Sequence, residues 1–119
     1  QSRKRWLAFA SVPRGEIVVD VGARDALVAG GKSLLASGVR DARRPFRAGD
    51  VVSLLDPAGR VFARGLTNYG RDDVERIQGL HSDAIAGALG HKPYDEVIHR
   101  DNLVILEGEG RPGERRGVR

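Results

Sequence analysis

A mainly β fold with short helices, closed into a small barrel of about six strands, is the class this sequence predicts. Three observations point to it. Apolar and β-branched runs of strand length recur along the chain, as at Ile17-Val18-Val19 and Val51–Leu55. Turn residues separate them, among them Pro13-Arg14-Gly15 and Asp56-Pro57-Ala58-Gly59. The order of elements is strand, helix, three strands, two short helices and two strands. That order does not alternate as βα units, so a doubly wound open sheet is a poor match.

The elements follow from local chemistry. Residues 6–10 are apolar and precede the turn at Pro13, and residues 1–12 read as a linker end that packs onto a domain spanning 13–106. Ile17 to Val19 form the first strand. Asp20 is placed to accept from backbone amides of the turn that follows. Ala23, Ala26 and Leu27 recur at helical spacing, and Gly30-Gly31 ends that helix, because glycine takes a left-handed cap conformation without a steric penalty. Residues 33–35 resume as strand. Residues 51–55 and 61–69 form a hairpin. Its loop has aspartate first, proline second and glycine fourth, as a type I turn prefers. Gly65, inside the second of these strands, marks a bulge or a close backbone approach. Asp72 caps a helix with Asp73 and Glu75 in its first turn, and Ser82 caps another that Gly90 ends. Residues 96–99 and 103–106 are the last two strands, and the glycine- and charge-rich residues 107–119 read as a disordered basic tail.

Composition bounds the function. The 119 residues suffice for one domain with one core. No apolar run approaches the roughly 18 residues of a membrane span, and no secretory leader pattern opens the chain. With no cysteine, disulfides and thiolate zinc sites are excluded, which fits a cytoplasmic location. Methionine is absent even at position 1, which points to a fragment or a processed product. The net charge of +4 invites a nucleic-acid reading, but it resides at the ends. Residues 3–5 and the segment after Leu106 carry seven cations and three anions, while the body between them balances. One local cluster survives: Arg40, Arg43, Arg44 and Arg47, opposed only by Asp41. It reads either as a solvated arginine-rich loop or as a patch for an anionic partner.

Several segments imitate catalytic motifs and fail on context. Gly30-Gly31-Lys32-Ser33 resembles the end of a phosphate-binding loop. However, Ala26 stands where a glycine is required, and the loop follows a helix instead of opening one. His99-Arg100-Asp101 imitates a protein-kinase catalytic loop, but its asparagine arrives at once, at Asn102. A GxGxxG match in residues 108–113 contains Pro112 and has no apolar helix after it. His81, His91 and His99 lack metal-ligand spacing, and no serine-histidine-acid set is supported. The expectation is therefore no catalytic residue, no metal site and no cofactor in this chain.

For nucleic acid, the helix over residues 24–31 and the strand after it are the favoured surface. Arg24, Lys32 and the arginines at 40, 43 and 44 could neutralise phosphates, and glycines at 30, 31 and 38 would let a ligand approach the backbone. Aromatic residues are few, one Trp, two Tyr and three Phe, which favours backbone or shape recognition over base stacking.

The chain also resembles a known module. The blocks GEIVVDVGA at residues 15–23, GKSLLASGV at 31–39 and FRAGDVV at 46–52 resemble a PUA domain, a β-pseudobarrel best known for binding RNA. RKRW at 3–6, GLTNY at 65–69, IQGLHSDAI at 77–85 and VIHRDNLV at 97–104 narrow the likeness to the C-terminal PUA domain of bacterial glutamate 5-kinases. That resemblance implies a cytoplasmic parent enzyme of proline biosynthesis that uses ATP and magnesium to phosphorylate the side-chain carboxylate of L-glutamate. It implies that this chemistry lies in an amino-acid-kinase domain outside this chain, and that the PUA domain regulates or assembles the enzyme. Exposed apolar patches near Trp6 and the helices at 72–89 would mark where the kinase domain or a sister subunit docks. An RNA-binding module is the alternative. In PUA domains that bind RNA the contact face is the first helix and second strand, here Arg24, Gly30, Gly31, Lys32, Ser33, Gly38 and Val39. The cluster Arg40, Arg43 and Arg44 extends it.

Overall fold

Five strands form one mixed sheet in the order β2-β1-β3-β4-β5, and four short helices pack around it. The structure, a computed structural model, describes residues 2–106. The chain runs α1 (Ser2–Phe9), β1 (Gly15–Val19), α2 (Val21–Gly30), β2 (Val39–Arg43), β3 (Val51–Leu55), β4 (Val61–Leu66), α3 (Arg71–Ile77), α4 (Ile85–Leu89) and β5 (Leu103–Ile105). The tail at 107–119 lies outside the described residues.

The apolar pattern decides which strand is central. Every residue of β3 is buried, as its unbroken Val-Val-Ser-Leu-Leu run requires, and it pairs with β1 in parallel and β4 antiparallel. In β1 burial alternates, with Ile17 and Val19 facing the core. β2 and β5 are the sheet's edges, and a bridge joins the segments that lead into them. Leu34 N–H donates to the Ile98 carbonyl (2.9 Å), and Val97 N–H donates to the Leu34 carbonyl (2.8 Å). This contact turns an open sheet into a closed pseudobarrel around Ile17, Leu34, Leu54, Ile77, Ile85 and Ile98.

The strands expected at 33–35 and 96–99 are each reduced to that one bridge. Short 3₁₀ turns at Ala36–Gly38 and Arg100–Asn102 follow at once and redirect the chain into the edge strands. The hairpin of β3 and β4 is present with its turn, where Gly59 N–H meets the Asp56 carbonyl and the Asp56 carboxylate accepts from Ala58 and Arg60. Its second strand ends at Leu66, short of 69, because Thr67 turns inward and its hydroxyl donates to the Tyr69 carbonyl. Gly65 is a close approach. A Cβ there would lie 2.8 Å from Ile98 Cγ2, while the register shift of this pair lies at Leu54/Leu55.

Two helix starts fall elsewhere than expected. Gly70, not Asp72, precedes α3, since Arg71 N–H is held by the Phe46 carbonyl and the helix begins two residues earlier. Before α4, His81 rather than Ser82 caps the 3₁₀ turn Ser82–Ala84, its ring nitrogen accepting from Asp83 N–H. Residues 2–9, read from sequence as a linker end, are helical. Leu7 is fully buried, and Arg64 of β4 donates to the carbonyls of Leu7 and Ala8 (3.1 and 3.3 Å), a cation at the negative end of α1. No described helix is long and apolar enough to cross a membrane.

Candidate functional site

The residues singled out for an anionic partner sit on α2, its exit and β2. Asp20 sets the geometry at the start. Its carboxylate accepts from Ala23 N–H at 2.7 Å and caps α2, the structural role its position suggested. Gly31 closes the helix in the left-handed conformation (φ 59°), and the space where its Cβ would be is open. Lys32 follows, exposed, with its stem folded against Gly30. Ser33 Oγ accepts from Arg100 N–H at 2.8 Å and so ties the exit of α2 to the turn before β5.

The remaining candidates divide. Arg24 is half-buried and already engaged by neighbours. Its guanidinium lies 5.8 Å from the centre of the Phe62 ring, and Nη1 is 3.2 Å from the Asp25 carboxylate. Gly38 serves packing, since a Cβ there would come within 2.5 Å of the Ala23 methyl. Val39 is 1% exposed and belongs to the core. The arginine cluster lies on an edge strand and its exit more than in a loop. Arg40 and Arg43 are the outward residues of β2, Arg43 pairs with Asp41 at 3.0 Å, and Arg44 follows with φ 72°. Arg44 is the only described residue other than glycine with positive φ, a strained backbone position. Beyond it an open cleft of about 870 Å³ is lined by Arg14, Arg47 and Arg71 together with Asp50, Asp72 and Asp73, so its charges balance.

The fold therefore does not gather the candidates into one site. Gly31, Lys32 and Ser33 meet residues that local sequence did not nominate. A hollow of about 210 Å³ brings Lys4 of α1 and Arg100 beside Lys32. Those cations are far apart in the chain, and the Leu34–Ile98 bridge, the Ser33–Arg100 hydrogen bond and the docking of α1 bring them together. No group of three or more His, Cys, Asp or Glu side chains is placed to hold a metal ion among the described residues.

Comparison with known proteins agrees with this architecture. The PUA domain family matches residues 15–89. Glutamate 5-kinase of Carboxydothermus hydrogenoformans is 51% identical over 107 residues, which is 90% of this chain and 29% of that enzyme. Glutamate 5-kinase of Synechocystis is 53% identical over 106 residues, 89% of this chain and 28% of that enzyme. The chain thus spans less than a third of the length of these relatives. Among solved structures, a PUA domain from Aeropyrum pernix in complex with tartrate superposes with a TM-score of 0.53 at 23% identity, covering 72% of this chain and 41% of that one. NSun6 from Pyrococcus horikoshii gives 0.51 at 14% identity, covering 92% and 25%. These two likenesses concern the fold. From the family match across residues 15–89 and the pseudobarrel that carries it, the chain belongs to the PUA domain family.

Proposed function

We propose that this domain is a non-catalytic, cytoplasmic accessory part of a glutamate 5-kinase, which it regulates or helps to assemble. The parent would transfer the γ-phosphate of ATP, with magnesium, to the side-chain carboxylate of glutamate. That chemistry would reside in an amino-acid-kinase domain outside this chain. The observation that carries the reading is the outer surface of α1 and its exit. Phe9 is 85% exposed, Val12 76% and Trp6 46%, on a chain that spans about 29% of its relatives. Large apolar side chains in water next to one another mark an interaction surface. The other expected patch does not form, because α3 and α4 turn Val74, Ile77 and Ile85 into the core. The exposed side chains of α1 support a reading in which the kinase domain, or a sister subunit, docks there. The test is a glutamate-phosphorylation assay on the isolated chain beside the full-length enzyme with and without its matching residues. The reading expects no turnover from the chain alone and altered regulation or assembly on deletion. Turnover by the isolated chain would overturn it.

A second reading, binding of RNA through α2 and β2, is favoured by one observation. Lys32, Arg40 and Arg44 are exposed and none forms an ion pair among the described residues. Affinity would then fall steeply with salt and with replacement of Lys32, Arg43 and Arg44 by alanine. An RNA titration at two salt concentrations checks this, and no binding at the lower one removes the reading.

A further inference from the structure

The ion pairs of the described residues engage Arg24, Arg43, Arg60, Arg71 and Lys92, and none of them engages Lys4, Lys32 or Arg100. Those three cations line one hollow of about 210 Å³. They come from three separate parts of the chain: α1, the exit of α2 and the turn before β5. One carboxylate shares the lining, that of Asp101. It is largely in water and faces the ring of His99 at 3.6 Å. The floor is apolar, with Leu27, Leu103, Val104 and Ile105. Lys32 has a structural duty there, because its stem lies over Gly30 and its charge offsets the negative end of α2. Lys4 and Arg100 have no such duty in the described structure. Gathering like charges without a counter-charge costs stability, and the cost disappears when an anion sits between them.

We propose that this hollow binds a phosphoryl group, carried by inorganic phosphate or a small organic phosphate. The charge argues for it. Three cations against one carboxylate leave an excess of two positive charges, and a phosphate monoester carries about −1.5 to −2 at neutral pH. The size sets an upper limit, since pockets for drug-sized ligands start at about 300 Å³. The apolar floor gives a few carbon atoms of an organic phosphate a surface to lie on. A bound phosphoryl group would join α1 to the body of the domain beside the Arg3–Asn102 hydrogen bond, and so would stiffen the helix whose outer face is apolar. The hollow would bind phosphate whether or not the chain serves a kinase.

The test is thermal unfolding of the full 119-residue chain, titrated with inorganic phosphate, glycerol 3-phosphate and succinate against sodium chloride at matched ionic strength. A tenfold excess over the dissociation constant raises the midpoint by several degrees, on the order of 5 °C, with either or both phosphates. A shift with inorganic phosphate identifies the free anion as sufficient, and a shift with glycerol 3-phosphate alone identifies the organic ester. The shift is lost in Lys32→Ala and Arg100→Ala and kept in Lys32→Arg. Hydrogen exchange at residues 2–9 slows with phosphate in the native chain and not in Lys4→Ala. An equal shift with succinate, an equal shift in the alanine variants, or no shift at all would overturn the assignment.

Discussion

Replacing Arg64 by alanine should release α1 while the barrel stays folded. Arg64 projects from β4 and donates from Nη1 to the carbonyls of Leu7 (3.1 Å) and Ala8 (3.3 Å), the last acceptors of a helix with no basic residue in its final turn. A hydrogen bond from a charged donor contributes about 1.5–3 kcal/mol. The two bonds share one nitrogen, so together they reach only the low end of twice that, about 3–4 kcal/mol, and Arg64 Nε, buried without an acceptor among the described residues, offsets about 1–3 kcal/mol of it. The net loss is about 2 kcal/mol of helix docking, roughly a thirtyfold change in the opening equilibrium. Burial of Leu7, about 1.5–3 kcal/mol, and the Arg3–Asn102 hydrogen bond also hold α1. Native-state hydrogen exchange reads the effect directly. The amides of Ala10 and Ser11, both bonded to the Trp6 carbonyl, should exchange about thirtyfold faster, and those of β1 and β3 should not change. Unchanged exchange at Ala10 and Ser11 alongside a loss of global stability would refute the reasoning.

Three further outcomes follow from the same geometry. Asp20→Ala removes the carboxylate that caps α2 and should lower stability by about 1 kcal/mol in urea unfolding, with Asp20→Asn milder. Gly65→Ala places a methyl 2.8 Å from Ile98 Cγ2 and 3.0 Å from the Asn102 carbonyl oxygen, and should cost about 1–3 kcal/mol by the same assay. Burial pushes the Tyr69 phenol above its ordinary value, partly countered by the Tyr94 N–H, which donates to the phenol oxygen at 3.2 Å. Because the folded state favours the protonated phenol, its contribution is complete below about pH 10 and is lost as pH rises through the raised pKa. Stability measured across that alkaline range should fall more steeply for the native chain than for Tyr69→Phe.

How much of this was legible in the sequence depends on the range of the interactions involved. The β3–β4 hairpin, its Asp56 turn, the Asp20 cap and the Gly31 helix end are set within a few residues, and the residues alone placed them. The helix starts at Gly70 and before Ser82 were misplaced because a distant group decides one of them: the Phe46 carbonyl fixes the first turn of α3. Residues 33–35 and 96–99 have strand-like composition, but each pairs only at Leu34 and Ile98, a limit set by the turns that steer the edge strands. On the candidate surface, Arg24 and Gly38 read as free to meet a ligand. Phe62 lies under the guanidinium and Ala23 fills the space beside the glycine, and both contacts are tertiary. Lys4 and Arg100 carried no local signal, because their meeting with Lys32 is a product of barrel closure.

The placement of the kinase domain against α1 is the central claim, and Trp6, the only tryptophan, reports on it from within the patch. The measurement is its fluorescence during titration with the portion of the Carboxydothermus hydrogenoformans glutamate 5-kinase that this chain does not match. The titration runs to about 1 mM, because tethered domains meet at effective concentrations of that order. The account predicts a saturable shift to shorter wavelength that Phe9→Asp weakens about tenfold, a loss of about 1.4 kcal/mol of binding. No shift at the highest concentration, or a shift that Phe9→Asp leaves unchanged, would contradict it.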